Sequence, residues 1–256
     1  LKYPKVLIGT PIYKGKEYIR KEFVQRVKEL TYPNFDFLLV DNSKGTSYTA
    51  KLRRDGLRVV RTPRGNNARD ALRNSENYLI ERVVNGEYEY LFMLESDVIP
   101  HRDVIQRLMA HMDPHHIDIT KGKRIIGCPY HIGLKTKNLC IAQLKYYEDQ
   151  EAMGCEYLTP GDERDFIGTG LQKVHAMGVG CTLMHRSLFE LNLPIKGQPI
   201  RFWYSTLDDI RMADTVQRKW PDTYFYLDLE NNKVPVYCDS DQYVLHKPSS
   251  KDDLNA

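Results

Sequence analysis

Two carboxylates stand one residue apart in the stretch "YLFMLESDVIP", residues 90–100: Glu95 and Asp97, with Ser96 between them. Apolar and aromatic residues from Tyr90 to Leu94 lead straight into the pair, and Pro100 closes the stretch. Residues i and i+2 of a strand point to the same side. Past a strand end, Glu95 and Asp97 can therefore present both charges to one point. Anions so placed repel each other unless a cation joins them. A divalent ion that prefers hard oxygen ligands, Mg²⁺ or Mn²⁺, answers both charges and also binds the phosphates of a nucleotide. The competing explanation is local, with Asp97 capping the turn or helix that follows.

Other chemistry-bearing residues lie further along. Asp208 and Asp209 open a predicted helix, where carboxylates are favoured by free amide N–H groups whatever else they do. His246, in "YVLHKPS", follows the last predicted strand. His111, His115 and His116 are a rival metal cluster. Pro114 breaks the helix that would align the first two, and a convincing third zinc ligand is lacking.

The elements that must position these groups follow from periodicity. Residues 5–9 (KVLIG) form a strand, and residues 17–30 a helix with Ile19, Phe23, Val27 and Leu30 on one face. Residues 35–40 (FDFLLV) make a second strand, so the opening is a βαβ unit with a parallel pair and a right-handed crossover. A short helix over 47–54, a strand over 57–61, a long helix over 67–84 begun near Asn66 or Asn67, and a strand over 89–94 complete a doubly wound outline. The second half is less regular. It reads as a helix over 103–112, strands over 124–129 and 139–147, a Gly-, Asp- and Thr-rich loop over 155–170 and a small-residue strand over 177–184. A helix over 208–219 is stopped by Trp220-Pro221, short strands follow over 224–227, 234–237 and 243–245, and the tail is polar.

Open parallel sheets bind ligands at the carboxyl ends of their strands. Thr10-Pro11-Ile12-Tyr13, Asp41-Asn42-Ser43, the segment Arg64 to Arg69, and Glu95-Ser96-Asp97 all fall at such ends. The first turn lacks G-x-G-x-x-G, with Pro11 between Gly9 and Gly15, and the chain has no P-loop.

The bulk numbers exclude several classes. The 256 residues suit one large α/β domain, and a formal charge of +3 is too mild to argue for nucleic acid. Apolar runs end at about five residues, far short of a membrane span. The five cysteines (128, 140, 155, 181, 238) make no CxxC pair and read as free thiols of a reducing compartment. No Asn-x-Ser/Thr acceptor occurs, and no signal peptide is visible, so the expectation is cytoplasmic.

In order and spacing, these segments resemble the GT-A nucleotide-sugar glycosyltransferases of family 2. Glu95-Ser96-Asp97 is similar to the E-x-D variant of their D-x-D motif. "IGTPIY" resembles their P-x-Y segment, and "LLVDNSKGTS" their V-D-D-x-S segment with Asn42 for the second Asp. "GNNARDALRNS" resembles G-x-x-x-A-R-N-x-G, with Asp70 where Asn is common. "MGVGCTLMHRSLFE" resembles the segment beside the acceptor, and "TLDDIRMADTVQRKW" the E-D-x-d-l-x-x-R segment with Asp208 for Glu. The resemblance runs from about residue 4 to 248.

That resemblance implies an α/β GT-A fold: a Rossmann-like, mostly parallel sheet with a smaller mixed sheet on the acceptor side. It implies one domain, with a nucleotide-sugar-binding half over 1–100, an acceptor-binding and catalytic half over 101–248 and a flexible tail over 249–256. Thr10, Pro11 and Tyr13 would line the base and ribose pocket, and Asp41 would hold uracil or ribose. Arg64, Asn67 and Arg69 would hold nucleotide or diphosphate, since an Arg fork suits phosphate. Ser96 would sit at the donor, and Gly178 and Gly180 would let the chain pass close to the donor sugar. Asp97 and His246, with Glu95, would bind Mn²⁺ or Mg²⁺. Asp209, with Asp208 beside it, would act as general base in an inverting transfer from a UDP- or GDP-sugar to a carbohydrate, lipid-linked or protein hydroxyl. Trp203 and Tyr204 would stack on an acceptor sugar or fill the core. The alternatives are a retaining GT-A transferase, a nucleotidyltransferase, for which the typical loop is missing, and a non-catalytic nucleotide- or sugar-binding protein.

Overall fold

The computed structural model describes residues 3–132, 138–147, 152–158, 161–191, 198–203 and 221–249. Strand β1 (Val6–Ile12) is buried along its whole length. That is the mark of a central parallel strand covered on both faces. A 3-10 turn over Lys14–Tyr18 precedes helix α1 (Arg20–Lys28), where one continuous helix over 17–30 was expected. Strand β2 (Phe35–Asp41), helix α2 (Ser47–Arg54), strand β3 (Val59–Arg61), helix α3 (Ala68–Val84) and strand β4 (Tyr90–Leu94) follow as predicted in kind and order. The N-cap of α3 is Asn67, whose side chain accepts from the Asp70 amide. Gly9 in β1 lets α3 settle on the sheet, since a Cβ there would lie 2.6 Å from Leu79 Cδ2.

The second half adds β5 (Val98–Ile99), α4 (Val104–His111), β6 (Ile125–Gly127), β7 (His131–Ile132), β8 (Asn138–Leu139) and β9 (Ile141–Tyr147). Then come β10 (Ala152–Tyr157), α5 (Glu163–Phe166), β11 (Leu171–Val174), β12 (Ala176–Met177), β13 (Cys181–His185) and α6 (Ser187–Glu190). Helix α7 (Pro221–Asn231), β14 (Val236–Asp239) and β15 (Leu245–His246) complete the described chain.

One eight-stranded sheet unites both halves in the order β11-β14-β6-β13-β4-β1-β2-β3. The pairs β4-β1, β1-β2 and β2-β3 are parallel, and β13 runs antiparallel between β4 and β6. A smaller antiparallel sheet has the order β10-β9-β12. β15 pairs with β5, which carries His246 opposite Val98, next to the acidic pair.

Four expectations change. The strand expected over 224–227 is the middle of α7. Its aromatic run is buried all round, so hydrophobic periodicity says nothing about its type, whereas Pro221 and Asp222 are residues that start a helix. The loop expected over 155–170 contains the end of β10, whose backbone is paired with β9, and the short helix α5. The strand expected over 177–184 is two strands, β12 and β13, which join different sheets on either side of Gly178 to Gly180. The strand expected over 139–147 is likewise interrupted at Cys140. The predicted helix over 208–219 and most of the tail lie outside the described residues.

Candidate functional site

β4 ends at Leu94, and the next three residues are tied on both sides. The Glu95 amide donates to the Gly180 carbonyl at 2.9 Å, and the Lys247 amide donates to the Asp97 carbonyl at 2.8 Å. The entry to β13 and the segment after β15 thus fix the acidic pair between them. One ligand atom each from Glu95, Asp97 and His246 lies within 4.8 Å of the other two, the one such cluster among the described residues.

Burial and mutual charge set the protonation of that cluster. Burial, with the Asp97 charge beside it, pushes Glu95 up to about 7, against the pull of His246 and Lys16. Burial alone would raise Asp97 as well, but the hydrogen bond from His246 and the charge of Lys16 bring it below its usual value. Burial opposes a charged His246, yet Asp97 and Glu95 together raise its pKa. His246 Nδ1 donates to the His131 carbonyl at 2.8 Å, which turns Nε2 toward Asp97 Oδ2 at 3.3 Å. Metal-binding histidines are commonly oriented in this way, through the other ring nitrogen. Two carboxylates and an imidazole so held fit a divalent ion.

The cluster borders a cleft of about 730 Å³ at the carboxyl ends of β1, β2 and β4. That is large enough for a nucleotide-sized ligand. Pro11, Tyr13, Arg64, Glu95, Ser96, Asp97, Gly178 and His246, all named from the sequence as site residues, line it. A second cleft of about 390 Å³ shares Tyr13 and Arg64 and adds Lys14, Lys44 and Ser43.

Other predicted residues lie elsewhere. Thr10 is fully buried in β1. Asp41 is also buried, and its two oxygens accept from the Ser43 amide at 2.9 Å and the Thr49 hydroxyl at 2.5 Å, so its carboxylate holds the β2–α2 turn. Asn67 caps α3, and Arg69 is half-buried on the first turn of that helix, outside the residues that line the cleft. Gly180 donates its amide to the Tyr130 hydroxyl at 3.1 Å. A Cβ at Gly178 would lie 2.2 Å from Tyr130 Oη, and one at Gly180 2.8 Å from Glu95 Oε2. These glycines therefore make room for Tyr130 and Glu95, and Gly178 lines the cleft as well. Trp203 donates its indole N–H to Asp228 at 2.7 Å and packs on Tyr224 of α7. His111 faces Asp239, His115 packs on His185, and His116 accepts from the Asp118 amide, so the three histidines converge on no common point. Asp208, Asp209 and Tyr204 lie outside the described residues.

Two residues of the site, and a buried third near them, escaped the sequence reading. Lys16 lines the cleft and ion-pairs with Asp97 at 2.6 Å, and nothing in "YKGKEY" distinguishes it from Lys14. Asp222, in the first turn of α7, lines the cleft with Glu95 and Gly178. Burial raises its pKa to about 6, against the hydrogen bond it accepts from the Thr223 amide. Its signal in the sequence is the Pro221-Asp222 helix start, which Trp220-Pro221 presents equally well as the stop of a preceding helix. Glu76 on α3 is fully buried, and burial together with Asp222 and Glu95 raises its pKa well above the ordinary range.

Comparison with known proteins speaks to the family and the fold. The family model described as glycosyl transferase family 2 matches residues 7–191. Among solved structures, the chain is similar to the mannosyltransferase PcManGT from Pyrobaculum calidifontis in complex with GDP-Man and Mn²⁺, with a TM-score of 0.53 and 12% identity. The likeness covers 98% of this chain and 59% of that one, and at such identity it speaks for the fold, which is GT-A. No curated protein matches the chain.

Proposed function

Because the chain belongs to glycosyl transferase family 2, we propose that it moves a sugar from a UDP- or GDP-sugar to a hydroxyl acceptor and uses a divalent ion, Mn²⁺ or Mg²⁺. The observation that carries this reading is the convergence of Glu95, Asp97 and His246 beside a nucleotide-sized cleft at the carboxyl ends of the parallel strands. The solved mannosyltransferase of the same fold, with GDP-Man and Mn²⁺ bound, supports the choice of donor class and ion.

Asp97 and His246 would hold the ion, with Glu95 beside them. The ion supplies positive charge that makes the donor's diphosphate a better leaving group. Arg64 and Tyr13, where the two clefts meet, would grip the nucleotide. Pro11 would shape the floor of the pocket, and Ser96 its edge beside the ion.

An inverting transfer needs a base on the face of the sugar opposite the leaving group. Asp222 is our candidate, because it lines the cleft and its pKa near 6 leaves it ionised at neutral pH yet basic enough to take a proton. It would accept the acceptor's hydroxyl proton as that oxygen attacks the anomeric carbon and the bond to the diphosphate breaks. Asp209, with Asp208, is the other candidate, from the sequence resemblance. A retaining transfer on this fold would need neither. The acceptor would be a carbohydrate, lipid-linked or protein hydroxyl.

The test is thermal unfolding with panels of UDP- and GDP-sugars, with and without Mn²⁺, joined to transfer assays of Asp222→Asn and Asp209→Asn. At least one donor should stabilise the protein only when Mn²⁺ is present. Stabilisation by no donor in either condition contradicts the proposal, and donor binding with no transfer to any hydroxyl favours a binding protein.

A further inference from the structure

The formal charge of +3 is spread unevenly over the fold. Residues 42–67, from the end of β2 to the start of α3, carry seven basic residues and one acid, Asp55, a net of +6 (7 − 1). The rest of the chain therefore carries −3 (3 − 6). This segment holds α2 and β3, and β3 is an edge of the eight-stranded sheet. Lys44, Arg53, Arg54, Arg58 and Arg61 are exposed on it. Glu17 and Asp55 pair with Lys51, and Asp36 faces Arg58 at 3.7 Å. Among the described residues, no carboxylate pairs with Lys44, Arg53, Arg54 or Arg61. Two of these are fastened to the backbone: Arg61 donates to the Ser43 carbonyl at 3.1 Å and Arg53 to the Val59 carbonyl at 3.4 Å. This sets one guanidinium at each end of β3.

Local effects account for part of this charge. Lys51, Arg53 and Arg54 end α2, where cations suit the helix dipole, and charges along an edge strand deter pairing with another chain. Neither accounts for Lys44, three residues ahead of α2, at the end of a helix where a cation gains nothing. A face so charged attracts an anionic partner. Its side chains decide which kind. Tyr48, Leu52 and Val59 of this segment are buried, and Leu57 and Val60 are half-buried. Single-stranded nucleic acid is gripped by stacking on exposed aromatic rings, and the one aromatic ring here is Tyr48. An anionic lipid surface asks only for exposed Lys and Arg. We propose that the basic face formed by α2 and β3 docks on a bilayer that carries anionic phospholipid. The contact is with headgroups, without insertion, so it is reversible and weakens with salt. Lys44 also lines the second cleft, which meets the first at Tyr13 and Arg64, so docking sets both clefts beside the lipid surface. The docking does not depend on the chemistry in the cleft.

The experiment sediments the protein with vesicles of phosphatidylcholine alone, and of phosphatidylcholine with about one third phosphatidylglycerol, at low and high salt. Four forms are compared: the unmodified protein, Arg53→Gln with Arg54→Gln, Arg58→Gln with Arg61→Gln, and the control Lys121→Gln with Lys173→Gln. Lys121 and Lys173 are exposed, one in the loop before β6 and one on β11 at the opposite edge of the sheet, so the control removes the same charge elsewhere. Thermal unfolding checks that each form is folded, and the two test pairs read the face independently. The unmodified protein should bind the anionic vesicles and not the neutral ones, and should be released as salt rises to about 0.5 M. One basic residue near such a surface is worth about fivefold in affinity, so each test pair should weaken binding by about 25-fold and the control by less than about threefold. No binding to either vesicle, equal binding to both, or equal losses in test and control forms overturns the proposal. Binding of an RNA or DNA oligonucleotide at a salt concentration where anionic vesicles are not bound overturns it in favour of a nucleic-acid partner. Each of these failures leaves the proposed sugar transfer standing.

Discussion

His246 Nε2 and Asp97 Oδ2 face each other at 3.3 Å across the point where β15 meets β5. The two residues are 149 positions apart in sequence (246 − 97), and the Nδ1 anchor on His131 fixes the ring from behind. Asp97→Ala and His246→Ala should each lower transfer by at least about 100-fold, the loss typical of one preorganised electrostatic partner. They should also abolish stabilisation by Mn²⁺ in thermal unfolding. A variant that keeps both properties would remove its residue from the ion site.

The pH dependence has a definite sign. The folded pKa of Glu95, about 7, lies above its ordinary 4.5, so between these values the folded chain holds a proton that the unfolded chain has released. Stability of the metal-free protein from this group therefore falls as pH rises through that window. His246 acts in the same direction: its pKa is raised, so its contribution is present below 6.5 and is lost as pH climbs through the folded value. Under the proposed function Mn²⁺ would replace both protons. The rise in unfolding temperature caused by Mn²⁺ should be greater at about pH 8 than at about pH 6, as differential scanning calorimetry can show.

Asp222→Asn should reduce the rate of transfer by about 10² to 10⁴-fold and leave donor affinity within about twofold. In the unmodified enzyme the rate should fall on the acid side of about pH 6, where Asp222 takes up its proton. If Asp209→Asn removes the rate and Asp222→Asn does not, the base belongs to the acidic pair named from the sequence.

Gly178→Ala should destabilise the protein by about 1 to 3 kcal/mol, the range for overpacking a filled interior. The atom it meets is the Tyr130 hydroxyl oxygen, at 2.2 Å from the added Cβ. Tyr130→Phe removes that atom, so the double variant should lose less stability than the sum of the two singles in urea unfolding. Strict additivity would show that the glycine serves some other contact.

The first hundred residues were the most legible part, because parallel strands and amphipathic helices repeat with clear periods and their carboxyl ends lie on one edge. Glu95, Asp97 and Pro11 could be placed from that rule alone. Asp41 sits at such an end too, yet its carboxylate holds its own turn, since local sequence does not say whether Ser43 and Thr49 will claim its oxygens. The later half was harder. Tyr224 to Leu227 is buried all round, and an element without a polar face has no period to read. Asp222 was lost with it. Lys16 was invisible for a different reason: its partner lies 81 positions away, and only the closure of β4 against β1 brings them together.

The most direct test of the account is a crystal structure with Mn²⁺ and GDP or UDP, in which anomalous scattering near the manganese edge locates the ion. A single strong peak is expected at coordination distance, about 2.1 Å, from Asp97 and His246, with the diphosphate on its cleft side. A diphosphate bound in the cleft with no manganese beside Asp97, or manganese bound elsewhere, would contradict it.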